Sequence, residues 1–458
     1  MRWATLSAVS ALSPAQPRAA AANFPSRPGT WDELGVPQNL VSDIVLKLLY
    51  FNGTLQGREI AQRICVPWPF ISEVLKGLSD QACVQSTGFR QGIAGVGLLP
   101  DEDIGAAMTY MIATTGRARA RDLCEISQYI GPVPVPFDIY AAGAQQDSLR
   151  EDEVSLDDLR AALGHLTLAD DTLLTLGPAV NERHTLFIYG APGNGKTSIA
   201  EALCRLMGPP IFVPHALLVH GQVIRFFDPV HHLPHAADLP DYDRRWVLVE
   251  RPAVIVGGEL TPEMLDLAFD RSLGYYEAST QMKANGGIFL VDDFGRQAAL
   301  TPQNFFNRLI VPLEKGYDHL TLPRAGTSIT APFVCMLVLS SNLEPTQLVD
   351  EAFLRRLHFK VAVPGPTEPE FRTIWKRACA AAGIEYQDAA IDYLLHQWYL
   401  RHDPPRPCRG VHPRDVLKHI THAARFRGRV PQLDRDLIDA ACGAYFLMSG
   451  AGDEETEV

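Results

Sequence analysis

Residues 190–198 read Gly-Ala-Pro-Gly-Asn-Gly-Lys-Thr-Ser. Gly190, Gly195, Lys196 and Thr197 satisfy G-x-x-x-x-G-K-[ST], the Walker A pattern of a phosphate loop. The chemistry explains the residue types. Glycines let the backbone through Ala191, Pro192, Gly193 and Asn194 curl, so that successive N–H groups face phosphate oxygens. Lys196 reaches the β- and γ-phosphates as a point charge, and the Thr197 hydroxyl suits Mg²⁺. Ser198 continues into a helix whose N-terminus adds the positive end of its dipole. The ligand this pattern implies is a nucleoside triphosphate, with ATP and Mg²⁺ as the expected pair.

A second group stands downstream. Ile288 to Asp293 reads I-F-L-V-D-D, four apolar residues ending in two carboxylates. This matches a Walker B strand, whose Asp292 would hold Mg²⁺ through water. Asp293 would orient and deprotonate an attacking water. Val334 to Asn342 reads V-C-M-L-V-L-S-S-N, a second buried run ending in an amide.

These groups need particular elements to bring them together. Leu186 to Tyr189 is a short apolar run that empties into Gly190, and a helical pattern starts near Lys196. Near-continuous apolar strands at 186–189, 288–291 and 334–341 belong in a parallel sheet covered on both faces. Further on come Asp350 to Leu357 (D-E-A-F-L-R-R-L) and Gly410 to Leu417 (G-V-H-P-R-D-V-L). Helical patterns lie at 368–381, 387–399, 413–426 and 434–448.

The combination resembles AAA+ ATPases over residues 165 to 448, broadly of the bacterial MoxR and magnesium-chelatase kind. The resemblance implies an α/β P-loop core, a parallel sheet flanked by helices, with a C-terminal helical lid. It implies that Asn342 helps position the hydrolytic water. Arg355 or Arg356 would be an arginine finger reaching the γ-phosphate of an adjacent subunit. Arg414 would contact phosphate from the lid, with Arg409 competing for that role. Phosphoryl transfer gathers negative charge on equatorial oxygens, and a finger is worth roughly 10³ to 10⁵ in rate. A finger supplied in trans implies a ring homo-oligomer, usually a hexamer. The family norm after the Walker B aspartate is Glu, whereas here it is Asp293. Its carboxylate sits about 1 Å from the usual place, a shift that can cost about a hundredfold.

The chain of 458 residues has a formal net charge of −12 and 47% hydrophobic residues. That balance argues against an overall basic nucleic-acid binder but leaves room for a local basic face. No apolar run approaches the roughly 18 residues of a membrane span. The eight cysteines (65, 83, 124, 204, 335, 379, 408 and 442) include no C-x-x-C pair and suggest neither a disulfide framework nor zinc. A cytoplasmic protein is the expectation. The domain reading is an Ala/Pro-rich disordered leader at 1–30 and a winged-helix-like domain at 31–125. A linker at 126–160, the ATPase core at 161–364, the lid at 365–450 and an acidic tail at 451–458 follow.

In the N-terminal part, three helical patterns precede strand-like pieces around the Gly-rich 91–97, then a helix. That order resembles a winged helix. Its third helix offers Lys76 beside Glu73 and Asp80, a poor reader of base edges, so a protein-binding role is favoured over DNA. Asp228, His231, His232 and His235 suggest a metal site, but Pro229 and Pro234 break any shared helical face, and surface or interface histidines are expected. Arg244, Arg245 and Arg251 are expected to face a nucleotide or a neighbour. Residues 254–259 read as a strand or loop edge, possible in an inserted hairpin. The functional expectation is an ATP-hydrolysing oligomeric remodeller or assembly chaperone acting on a protein client. The alternatives are a DNA-binding regulator and a nucleotide-gated scaffold with slow turnover.

Overall fold

Five strands of the computed structural model carry the chemistry at their ends: β1 (Leu186–Tyr189), β2 (Ala253–Val256), β3 (Ile288–Val291), β4 (Met336–Ser341) and β5 (Phe359–Ala362). They form one parallel sheet in the order β2-β3-β4-β1-β5. Alternation along each strand builds two cores. Leu186, Ile188, Ile288, Leu290, Met336 and Val338 point into one hydrophobic cluster. Phe187, Phe289, Val291, Leu337 and Leu339 point into another on the opposite face. Every residue of β3 and β4 is buried, which is why β3 and the first four residues of β4 read as unbroken apolar runs. The expected fold class is the observed one: an α/β P-loop core with flanking helices and a C-terminal helical lid.

The structure describes residues 25–89, 101–148, 153–237, 239, 241–348, 351–402 and 404–449. Residues 1–24 of the leader, the glycine loop 91–97, Asp350 and the tail 451–458 lie outside the described residues. No described helix is long and apolar enough to cross a membrane.

Residues 254–259 did not read clearly as part of the core, yet Ala253–Val256 is its edge strand, parallel to β3. An edge strand buries fewer residues, and β2 alternates half-buried with buried positions; its sequence, Ala-Val-Ile-Val, is a short apolar run that periodicity alone does not assign. On both sides of β2 in the chain, and from residues before the phosphate-loop helix Lys196–Arg205, further β structure is built. One sheet has the order Ala268–Asp270, Tyr275–Glu277, Gln222–Arg225, Ala216–Val219 and Val135–Pro136. Ile211–Pro214 pairs separately with Trp246–Val249.

Val135–Pro136, within the stretch read as a linker, forms the outer strand of that sheet, where a missing N–H is tolerated. A helix, Phe137–Ser148, follows it. The N-terminal unit places helices Gln38–Asn52, Gly57–Ile64 and Trp68–Asp80 against an antiparallel sheet in the order Thr54–Gln56, Met108–Ile112, Val84–Phe89. It is anchored to the inserted sheet. Arg245, 2% exposed, is paired with Asp243 and donates to the Leu34 carbonyl at 2.7 Å. Tyr129 meets Tyr275 edge-on, and Gln128 N–H donates to the Leu273 carbonyl.

The lid helices are Glu368–Ala382, Asp388–Leu395 running into a π-turn at His396–Leu400, His412–Phe426 and Arg435–Ser449. Thr367 and Glu370 form a capping box at the start of the first, and Gly383 ends it in the left-handed conformation. Trp375, Phe371, Ile391 and Ile420 centre the lid's own core.

Candidate functional site

The carboxyl ends of β1, β3, β4 and β5 share one edge of the sheet. From β1 the chain leaves for the far edge at β2 and works back, so a crevice opens at that edge, where α/β sheets take ligands. A cleft of about 840 Å³ occupies it. The phosphate loop, Asp292, Asp293 and Asn342 line its floor, and Gly410, Val411 and Arg414 of the lid line its roof.

The loop is built from glycines with little room. Gly190 has φ 145°, and a Cβ there would lie 2.2 Å from the Val363 carbonyl oxygen, at the end of β5. At Gly193, φ 80°, a Cβ would meet Val411 of the lid at 2.5 Å. The helix Lys196–Arg205 starts after Gly195 with no side-chain cap. Its first N–H groups are therefore available to an anion.

Lys196 is 7% exposed. Its Nζ donates to the carbonyls of Gly190 (2.8 Å) and Ala191 (3.1 Å) and to Asn342 Oδ1 (2.8 Å). Burial lowers its pKa, while Asp292 and Asp293 pull it back up. Out of bulk water its charge acts more strongly on a phosphate than an exposed lysine would. Thr197 Oγ1 donates to Asp292 Oδ2 at 2.8 Å. Asp292 Oδ1 accepts from the Asp293 N–H at 3.0 Å. Asn342 Nδ2 then donates to Asp293 Oδ1 at 3.2 Å. Residues expected from three separate motifs thus form one hydrogen-bonded chain, Lys196–Asn342–Asp293, beside the Thr197–Asp292 pair. The latter juxtaposes a hydroxyl and a carboxylate oxygen, hard donors of the kind Mg²⁺ takes.

Asn194 joins loop, core and lid. Its Oδ1 accepts from Gly410 N–H at 3.2 Å, and its Nδ2 donates to the Val363 carbonyl at 3.4 Å. Arg414 lines the cleft and pairs with Asp415 at 3.1 Å. Arg409 is absent from the cleft lining. Arg355 and Arg356 also lie away from the cleft of their own chain. The two differ. Arg355 is 78% exposed and, among the described residues, approaches Glu351 at 3.5 Å. Arg356 donates to Glu314 at 2.8 Å and lies over the Phe353 ring.

Two expectations need correction. Arg244, Arg245 and Arg251 do not line the cleft, which removes the nucleotide half of their reading. Arg245 is buried as described, Arg251 donates to the carbonyls of Pro209 and Gly286, and Arg244 covers the Tyr242 ring. His232 is fully buried, not a surface residue. It stacks on Phe226, faces the Lys283 carbonyl at 2.9 Å, and is held by burial at a pKa of about 4. Asp228 pairs with Lys283, and no cluster suited to a metal occurs among the described residues. The cleft also has walls that no motif announced. Leu166, Leu168 and Ile374 line it. Their aliphatic identity is the same as in any core, so spacing carried no signal.

A family described as a domain of unknown function (DUF8689) matches residues 367–444, the lid. No curated protein matches the chain. Among solved structures, NtrX from Brucella abortus in complex with ADP is 16% identical over 66% of this chain and 57% of that one, with a TM-score of 0.39. The same protein in complex with ATP is 16% identical over 68% and 62%, with a TM-score of 0.36. A RuvB mutant from Thermotoga maritima is 13% identical over 64% and 70%, with a TM-score of 0.35. The chain therefore spans 57% and 62% of the two NtrX chains.

Proposed function

We propose that the chain is an ATP-binding and ATP-hydrolysing AAA+ protein that works as an oligomeric remodelling or assembly chaperone on a protein partner. The observation carrying this reading is the continuous contact of Lys196, Asn342 and Asp293 beside Thr197 and Asp292, at the open edge of a parallel sheet. Lys196 and the loop N–H groups hold the β- and γ-phosphates. Thr197 and Asp292 would hold Mg²⁺, Asp292 through water; when bound, the ion supplies neutralisation of phosphate charge. Asp293 takes the proton of the attacking water, and Asn342 fixes the distance between that carboxylate and Lys196. Arg414 reaches the cleft from the lid, so phosphate contact and lid position are coupled.

The exposed Arg355, remote from its own cleft, suits a finger offered to the neighbouring subunit of a ring, hexameric by the resemblance. The N-terminal unit supports a winged-helix-like reading through its helices and three-stranded antiparallel sheet. Its docking on the inserted sheet through Arg245 favours a protein-facing role over DNA.

The shared site is tested by mixing. Arg355→Ala subunits keep an intact cleft, and Asp293→Asn subunits keep an intact finger. Each alone should hydrolyse ATP poorly, and a mixture should recover activity. A mixture no faster than the sum of its parts would remove the shared-site reading. A scaffold with little turnover is the second reading, favoured by the short carboxylate of Asp293. Phosphate release by the wild type no faster than by Asp293→Asn would select it.

A further inference from the structure

We infer that Gln297 is a positioning residue that sets the backbone of Asp293; the inference rests on the ATPase reading of the cleft. Asp293 has φ 48°. A residue other than glycine stays in the left-handed region only when its surroundings over-determine it. Gln297 supplies much of that determination. It is 9% exposed. Its Oε1 accepts from the Gly295 N–H at 2.9 Å. Its Nε2 donates toward the carbonyls of Asp292 (3.1 Å) and Asp293 (3.2 Å), with the Gly257 carbonyl at 3.4 Å. One primary amide therefore grips both sides of the turn that follows β3 and ties it to the end of β2. Only a group with both an acceptor oxygen and an NH₂ does this.

The rest of the turn is held from β4. Phe294 N–H donates to the Ser340 carbonyl at 2.7 Å, and Ser341 Oγ donates to the Phe294 carbonyl at 2.8 Å. These contacts fix the residue after Asp293; its own carbonyl accepts from the Arg296 N–H at 3.0 Å as well as from Gln297, and it is Gln297 that also ties it to Asp292 and to the end of β2. Gln297 is absent from the cleft lining, so it acts through the Asp293 backbone and touches no ligand. From the left-handed conformation the Asp293 carboxylate meets Asn342 Nδ2, and Asn342 meets Lys196. A turn relaxed toward the right-handed region would swing the Cα–Cβ bond of Asp293 and break that chain. The backbone thus places a short carboxylate where side-chain length does not.

The test uses Gln297→Ala and Gln297→Glu in the full chain. Glu keeps the shape and the acceptor but removes both donors. Phosphate release, ATP affinity by titration and amide exchange of residues 292–297 are measured. A misplaced carboxylate predicts that kcat falls about 10- to 100-fold in both variants. ATP affinity should stay within about twofold, the loss being of positioning and not of binding. Exchange should quicken at 292–297 alone. Unchanged kcat, affinity falling in step with kcat, or faster exchange across the whole core sheet would each overturn the inference. Asp293→Asn separates this from the parent reading. If it matches the wild type, the ATPase reading fails and takes Gln297 with it. If it is inactive while Gln297→Ala keeps full kcat, only the role of Gln297 fails.

Discussion

Replacing Asp293 with Glu gives the residue type usual at this position in the AAA+ resemblance, yet it should slow the reaction. The backbone at 293 is left-handed, φ 48°. Among residues with a side chain, Asp and Asn enter that region most readily, because a short polar group bonds locally. Glu lacks this advantage, at a cost on the order of 1 kcal/mol, or about fivefold in occupancy of the working turn. Geometry adds to this. Asp293 Oδ1 already reaches Asn342 Nδ2 at 3.2 Å, so an added methylene carries the carboxylate about 1 Å past its partner, worth up to about a hundredfold. The expected outcome is a kcat lower by about 10- to 100-fold at saturating ATP and Mg²⁺. ATP affinity should barely change, since Lys196 and Thr197 are untouched. Phosphate release with a parallel nucleotide titration measures both. A variant at least as fast as the wild type would refute the argument that the turn, not the side-chain length, places the base.

Other outcomes follow from the same contacts. Gly190→Ala forces a Cβ to 2.2 Å from the Val363 carbonyl oxygen, so nucleotide titration should show ATP affinity reduced at least about tenfold. Arg355→Ala should lower turnover by about 10³-fold or more. Arg356→Ala removes the Glu314 pair and should cost about 1 kcal/mol or less of stability by urea unfolding, with a far smaller loss of turnover. Burial holds His232 and His412 at pKa values of about 4, against 6.5 ordinarily. Between those values the unfolded chain binds protons that the folded chain does not, so stability falls as pH drops from about 6.5 to 4. Urea midpoints at pH 7 and pH 5 should show this, and His412→Gln should flatten the dependence.

The core was legible where strands are buried on both faces. Residues 288–291 and 336–339 read as unbroken apolar runs and lead to the residues that form the cleft floor. Lid helices were legible through amphipathic spacing. Ala253–Val256 was less so, because its four apolar residues run straight into Gly257-Gly258, a pattern that suits a hairpin as well as a sheet edge. Thr54–Gln56 was missed as a strand, being three residues long and defined by its pairing with Thr109–Met111. Arg355 and Arg356 are alike in sequence; folded contacts tell them apart, above all that of Arg356 with Glu314, distant along the chain. Gln297 carried no signal either, since its role lies in which carbonyls the folded turn presents to it.

Phosphate release by the wild type, Lys196→Ala and Asp293→Asn, each with ATP affinity measured alongside, tests the central claim most directly. Loss of the Lys196 ammonium should abolish both binding and turnover. Asp293→Asn should bind ATP with nearly wild-type affinity and release almost no phosphate. Lys196→Ala binding ATP as tightly as the wild type, or Asp293→Asn turning over at the wild-type rate, would contradict the account.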